Sequence, residues 1–212
     1  MKWQDLLSLL RGMTLFETSA LLAGPDSPGE VRRQLSRWVA SGRLIQLRRG
    51  LYAVAPPFAG EAPSPFSLAS RIRVPSYVSL QSSLSYHGAI PESVPVVTSV
   101  TTNRPGRFDT PLGLFLYRHL KRELFWGYRE VEVEAGQRAF VAMAEKALID
   151  HYYLTPGDID SSFVRELRLA PDNLDVERLR SFVSRAAKPR LVRAVDVTIR
   201  VLEEDRAGER SL

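Results

Sequence analysis

The stretch Ser27 to Val54, SPGEVRRQLSRWVASGRLIQLRRGLYAV, constrains the fold more than any other part of the chain. Ser27 suits a helix N-cap, Pro28 the first helical position, and Glu30, three residues on, completes a capping box. Val31, Leu35, Trp38 and Val39 then recur at helical spacing and form one apolar stripe. Arg32, Arg33, Ser36 and Arg37 fall mostly on the opposite side. Ser41-Gly42 supplies a stop, with Gly42 suited to a left-handed C-cap. Two short apolar runs follow, Leu44 to Leu47 and Leu51 to Val54, joined by Arg48-Arg49-Gly50. That pattern predicts a hairpin with Gly50 where the backbone needs positive φ.

A helix with an arginine face, followed at once by a hairpin with an arginine tip, suits a DNA major groove and its flanking phosphates. An arginine-faced amphipathic helix is also a common solvated surface, so the surrounding chain has to decide. Trp3 to Leu10 carries Trp3, Leu6, Leu7 and Leu10 at helical spacing. Phe16, Ala20 and Leu21 predict a second helix over 15–23, with Thr14 as its cap and Glu17 three residues later. Helices near 3–11, 15–23 and 28–41, then a two-stranded wing to residue 55, predict a winged helix-turn-helix over residues 1–56. Its reading residues are expected to be Arg32, Arg33, Ser36, Arg37, Arg43, Arg48, Arg49 and Gly50.

Charge distribution points the same way. Residues 1–56 hold Lys2, Arg11, Arg32, Arg33, Arg37, Arg43, Arg48 and Arg49 against Asp5, Glu17, Asp26 and Glu30, a net of +4 out of +5 for the whole chain. A positive excess confined to the N-terminal quarter implies a polyanionic partner at that end.

Residues 57–65 are rich in Pro, Ala and Gly and are expected to form a linker. From residue 66 to 212 the pattern predicts an α+β domain, a small mixed or antiparallel sheet with helices before and after it. Helices are expected at 66–72, 79–87, 143–153, 161–167, 175–186 and 189–205, and strands at 94–102, 112–119, 130–134 and 138–142. Residues 104–109 read as a turn-rich connection. The EVEVE run alternates charge with valine, so its strand should have one wet face and lie near a sheet edge.

The chemical inventory is sparse. The chain has no cysteine, which removes disulfides, thiolate metal sites and cysteine nucleophiles, and fits a reducing cytoplasm. No apolar run approaches a membrane span, and the N-terminus does not read as a secretory signal. His87, His119 and His151 are too scattered to predict a metal centre, and no phosphate-binding glycine loop or nucleophile elbow occurs. Glu132 and Glu134 read as solvated edge charges. Glu145, Lys146 and Asp150 read as surface ion pairs. The basic groups between Arg178 and Arg193 are interleaved with acids and read as ordinary solvated faces. No catalytic, cofactor or metal residue is assigned, and the chain is not expected to be an enzyme.

Three blocks carry a family resemblance: LRRGLYAV at the hairpin, YVSLQSSLSYHG from Tyr77 to Gly88, and AEKALID from Ala144 to Asp150. In this order they resemble the AbiEi-type antitoxins of type IV (abortive infection) toxin–antitoxin systems, over about residues 5 to 160. The resemblance implies a winged helix that binds double-stranded operator DNA and represses its own operon. It also implies a C-terminal domain that counteracts a nucleotidyltransferase-like toxin without a stable complex. Arg32, Arg33, Arg37, Arg48 and Arg49 match the family's recognition helix and wing. One recognition helix per chain suggests a homodimer or a cooperative pair on DNA. Two other readings remain open from the sequence: a ligand-responsive winged-helix repressor, and a nucleic-acid-modifying enzyme that uses the winged helix for targeting.

Overall fold

The computed structural model describes residues 1–209 apart from Pro57, Glu61, Ser93 and Ala135. Two residues of the expected linker and the last three of the polar tail therefore lie outside the described residues. The fold is α+β, built on two sheets.

The N-terminal part runs α1 (Trp3–Leu10), β1 (Leu15–Glu17), a 3-10 turn (Thr18–Leu21), α2 (Pro28–Ala40), β2 (Leu44–Arg48) and β3 (Leu51–Val54). Its three strands pair in the order β1-β3-β2, all antiparallel. Leu6, Leu10, Phe16, Leu21, Val31, Leu35, Trp38, Leu44, Tyr52 and Val54 close a core between the helices and this sheet. The helix expected over 15–23 is not formed. Leu15, Phe16 and Glu17 instead pair with Ala53, Tyr52 and Leu51 on the open edge of β3. The spacing of Phe16, Ala20 and Leu21 fits a helix, but pairing that edge satisfies more backbone groups than an isolated short helix would.

The larger part continues with α3 (Pro65–Ile72), β4 (Ser76–Val78), α4 (Leu80–Tyr86), β5 (Val96–Thr101), β6 (Gly106–Thr110), β7 (Gly113–His119), β8 (Tyr128–Glu134), β9 (Gln137–Ala142), α5 (Ala144–Leu154), α6 (Ser161–Glu166), α7 (Val176–Ala186) and α8 (Pro189–Glu209). Six strands form one mixed sheet in the order β6-β7-β5-β4-β9-β8, with β5–β7 and β4–β9 parallel. Strand β8, which carries the EVEVE run, is an edge as expected. Residues 106–110 form an edge strand rather than a loop: Phe108 faces Phe115 across an antiparallel pair. Pro105 and Pro111 bracket that strand and hide its alternation of exposed Arg107 and Asp109 with half-buried Phe108.

Side-chain alternation sends β4 to two different cores. Tyr77 joins a large core with α4, α5, α7 and α8. Val78 joins a second core on the other face, with Leu68, Ala69 and Ile72 of α3, Val97, Phe115, Tyr117 and Val141. Leu47, Leu51 and Ala53 of the N-terminal hairpin are buried in that same second core. The hairpin thus seals against α3 and the large sheet, across the segment expected to be a linker. The sheet edge also grips that segment: Gln137 donates to the Ala62 carbonyl at 3.0 Å and accepts from the Ser64 amide at 2.7 Å. Among the described residues no helix is long and apolar enough to cross a membrane.

Candidate nucleic-acid interface

Helix α2 starts on the expected capping box. The Ser27 hydroxyl accepts from the Glu30 amide at 3.3 Å, and the Glu30 carboxylate accepts from the Ser27 amide at 3.0 Å. The Ser27 hydroxyl also donates to that carboxylate at 2.7 Å, and this bond, with the one from the Ser27 amide, holds the Glu30 carboxyl below its usual range. Val31, Leu35 and Trp38 are buried, so the opposite face is fixed toward solvent. Gly42 (φ +68°) ends the helix and Gly50 (φ +84°) turns the hairpin, both in the left-handed region that glycine enters without penalty. The Gly50 carbonyl also accepts from the Thr18 amide at 2.9 Å, pinning the tip to the 3-10 turn.

Of the eight expected reading residues, Gly50 forms the turn itself and the other seven divide into two groups. Arg32, Arg33, Ser36 and Arg37 lie exposed on one face of α2, and Arg49 is exposed at the hairpin tip. Among the described residues the guanidinium groups of Arg32, Arg33, Arg37 and Arg49 have no ion-pair partner. Ser36 donates to the Arg32 carbonyl at 3.0 Å, a local back-bond that leaves its oxygen able to accept. Arg33 and Arg37 share a polar cavity of about 330 Å³ with Gln34, a residue the spacing argument passed over.

Arg48 and Arg43 are engaged within the chain. Arg48 donates to the Ile72 carbonyl at 2.7 Å and to the Arg49 carbonyl at 3.1 Å, and pairs with Glu17 at 3.0 Å. It ties the hairpin to β1 and to the end of α3. Arg43 stacks over Trp3, 5.6 Å from the ring centroid, and Trp3 packs edge-on against Trp38. Neither tie was visible in the sequence, because both partners lie far away along the chain.

The remaining motifs meet elsewhere. Glu145, Lys146 and Asp150 were expected as surface ion pairs; all three are buried, and Lys146 and Asp150, 0% and 1% exposed, pair with each other deep in the larger core. Asp150 also accepts from the Tyr77 hydroxyl at 2.9 Å and from the Ser79 hydroxyl at 2.8 Å, and Lys146 donates to the Tyr77 oxygen at 2.9 Å. The ammonium group lies 5.0 Å from the Trp126 ring centroid. A Cβ at Gly127 (φ +76°) would press on the Lys146 stem at 2.9 Å, so only glycine lets that strand end close over it. Burial disfavours both charges, pushing Asp150 up and Lys146 down, while their mutual attraction opposes both shifts. Burial also pushes Tyr77 well above its ordinary value, so it stays a phenol that donates to Asp150. The YVSLQSSLSYHG and AEKALID blocks are therefore two halves of one closed polar network. Its ionic side chains line none of the larger surface cavities. Each of these bonds joins groups of the chain itself. No signal in the sequence separated it from a surface pair, because an i, i+4 spacing fits either.

No protein-family model matches this chain, and no curated protein matches it.

Proposed function

We propose that residues 1–56 form a winged helix-turn-helix and that this protein is a DNA-binding transcriptional regulator of the AbiEi antitoxin type. In this reading α2 is the recognition helix and the β2–β3 hairpin is the wing. The observation that carries it is the set of four exposed arginines without an ion-pair partner among the described residues, Arg32, Arg33 and Arg37 on α2 and Arg49 at the hairpin tip, in the most positive quarter of the chain. Asp26 and Glu30 border the cavity of Arg33 and Arg37, yet neither pairs with an arginine there, and guanidinium groups left without an ion pair are what phosphate recognition requires. The three sequence blocks extend the reading to repression of the protein's own operon and to action against a nucleotidyltransferase-like toxin without a stable complex. The chain then works by binding rather than catalysis, in the cytoplasm, with two copies on repeated half-sites.

The division among the expected reading residues refines the reading. Arg32, Arg33 and Arg37 face the major groove and Arg49 reaches a phosphate or the adjacent minor groove, whereas Arg43 and Arg48 hold the module together. Fluorescence anisotropy with the DNA upstream of the protein's own reading frame tests this. Arg33→Ala/Arg37→Ala is expected to weaken binding at least tenfold with the protein still folded, since each bidentate base contact contributes about 1–3 kcal/mol of discrimination. Equal affinity of that variant and the wild type would overturn the proposal.

A further inference from the structure

A second built site lies where α5 begins, away from the arginine face of α2. A cavity of about 240 Å³ is lined by His87, Arg129, Glu145, Asn173 and Arg178, together with the first turn of α5. Glu145 is 3% exposed, and one carboxylate oxygen accepts from the Asp175 amide at 2.9 Å and lies 3.5 Å from Arg178. The other oxygen is buried and has no hydrogen-bond partner. A buried carboxylate oxygen left without a donor is costly, and native structures rarely leave one without a reason. Arg129, exposed on the same wall, has no ion-pair partner among the described residues. The rest of the wall is committed. Asn173 donates to the Gly88 carbonyl at 2.8 Å, and His87 bonds the Ala142 carbonyl through Nε2 at 2.8 Å. Because a carbonyl only accepts, that ring nitrogen carries its proton.

The unmet valences thus define the ligand. The free Glu145 oxygen calls for an N–H donor, and unpaired Arg129 calls for an anionic group, while Arg178 is already held by Glu145 and by Asp175 at 3.2 Å. A metal ion fits poorly, since one carboxylate faces two guanidinium groups. Phosphate alone would leave Glu145 unpaired and repel it. The volume is below the ~300 Å³ at which pockets for drug-sized molecules begin. We propose that this cavity binds a small zwitterion of the α-amino acid class, its ammonium group on Glu145 and its carboxylate on Arg129. The proposal does not depend on DNA binding, and it would make the larger domain the sensing part of the molecule.

The test uses the full chain without DNA. Each proteinogenic L-amino acid is added at about 5 mM and the unfolding midpoint is followed by scanning fluorimetry, with inorganic phosphate and the N-acetylated form of any hit as controls. At least one amino acid is expected to raise the midpoint by about 2–5 °C. Its N-acetyl form, which lacks the ammonium group, should give no shift. Arg129→Ala, at an exposed side chain, should fold normally and lose the shift, and Glu145→Gln should lose it as well. The proposal is overturned if no amino acid shifts the midpoint, if phosphate gives the same shift, or if the N-acetyl form or the Arg129→Ala variant behaves like the original pair.

Discussion

Two arginine-rich helical regions of this protein look alike in sequence and differ in the folded chain. On α2, exposed Arg32, Arg33 and Arg37 have no ion-pair partner among the described residues. From Arg178 to Arg193, over α7 and the start of α8, the basic groups are committed. Arg178 pairs with Asp175 at 3.2 Å, Arg180 with Glu177 at 3.4 Å, and Lys188 with Glu123 at 2.7 Å. Arg185 stacks over Trp126 at 4.4 Å. Arg190 donates to the carbonyls of Tyr152, Thr155 and Gly157, which caps the C-terminal end of α5. The lesson is that counting basic residues does not locate a polyanion site. What separates the two regions is whether the fold has already supplied each cation with an acceptor.

The comparison is broken most forcefully at the buried pair. Asp150→Ala leaves the Lys146 ammonium group uncompensated in the core and is expected to destabilise the protein by about 3–5 kcal/mol in urea unfolding. Lys146→Met combined with Asp150→Ala should cost about 1–3 kcal/mol less than the sum of the single changes. Strict additivity would mean the pair is not the closed unit described above. Arg190→Ala should cost about 1.5–3 kcal/mol through its lost carbonyl bonds, with DNA affinity unchanged.

A finer test sets the two hairpin arginines against each other. Arg48→Ala is expected to lower stability by about 1–2 kcal/mol, because its bonds to Ile72 and Glu17 are internal. Arg49→Ala should change stability by less than about 0.5 kcal/mol and weaken DNA binding instead. If the two variants behave alike in both assays, the division of the reading residues is wrong.

The smallest expected effect is a pH slope. Burial, with nearby Arg118, pushes His151 below its ordinary value of 6.5. The unfolded chain then takes up the proton first, so this contribution to stability is complete above that value and is lost as pH falls through it. Unfolding midpoints measured between pH 7.5 and 5.5 should fall, and His151→Leu should flatten that part of the curve.

Local chemistry made much of this fold legible. The Ser27 capping box, the Gly42 stop and the Gly50 turn are written within a few residues, and the structure places all three as the sequence implies. The edge position of the EVEVE strand was readable from its alternation. What was not legible depended on distant partners. Strand β1 exists because β3 offers an open edge, and β6 because Phe115 waits opposite Phe108. Asp150 is buried because Tyr77 and Ser79, more than seventy residues earlier, supply its hydrogen bonds. The arginine face of α2 was legible as a candidate site because one helix period determines it. The separation of Arg48 from Arg49 was not, since adjacent residues differ only in which one meets Ile72.

The salt dependence of DNA binding probes the central claim most directly. With Arg32, Arg33, Arg37 and Arg49 each bringing one positive charge onto the duplex, in the groove or at a phosphate, log K should fall against log salt with a slope of about −3.5 per bound chain, at about 0.9 per charge. Arg49→Ala should reduce that slope by about 0.9, and Arg190→Ala should leave it unchanged. A flat salt dependence, or a slope indifferent to Arg33→Ala/Arg37→Ala, would contradict the assignment of the α2 face as a DNA-binding surface.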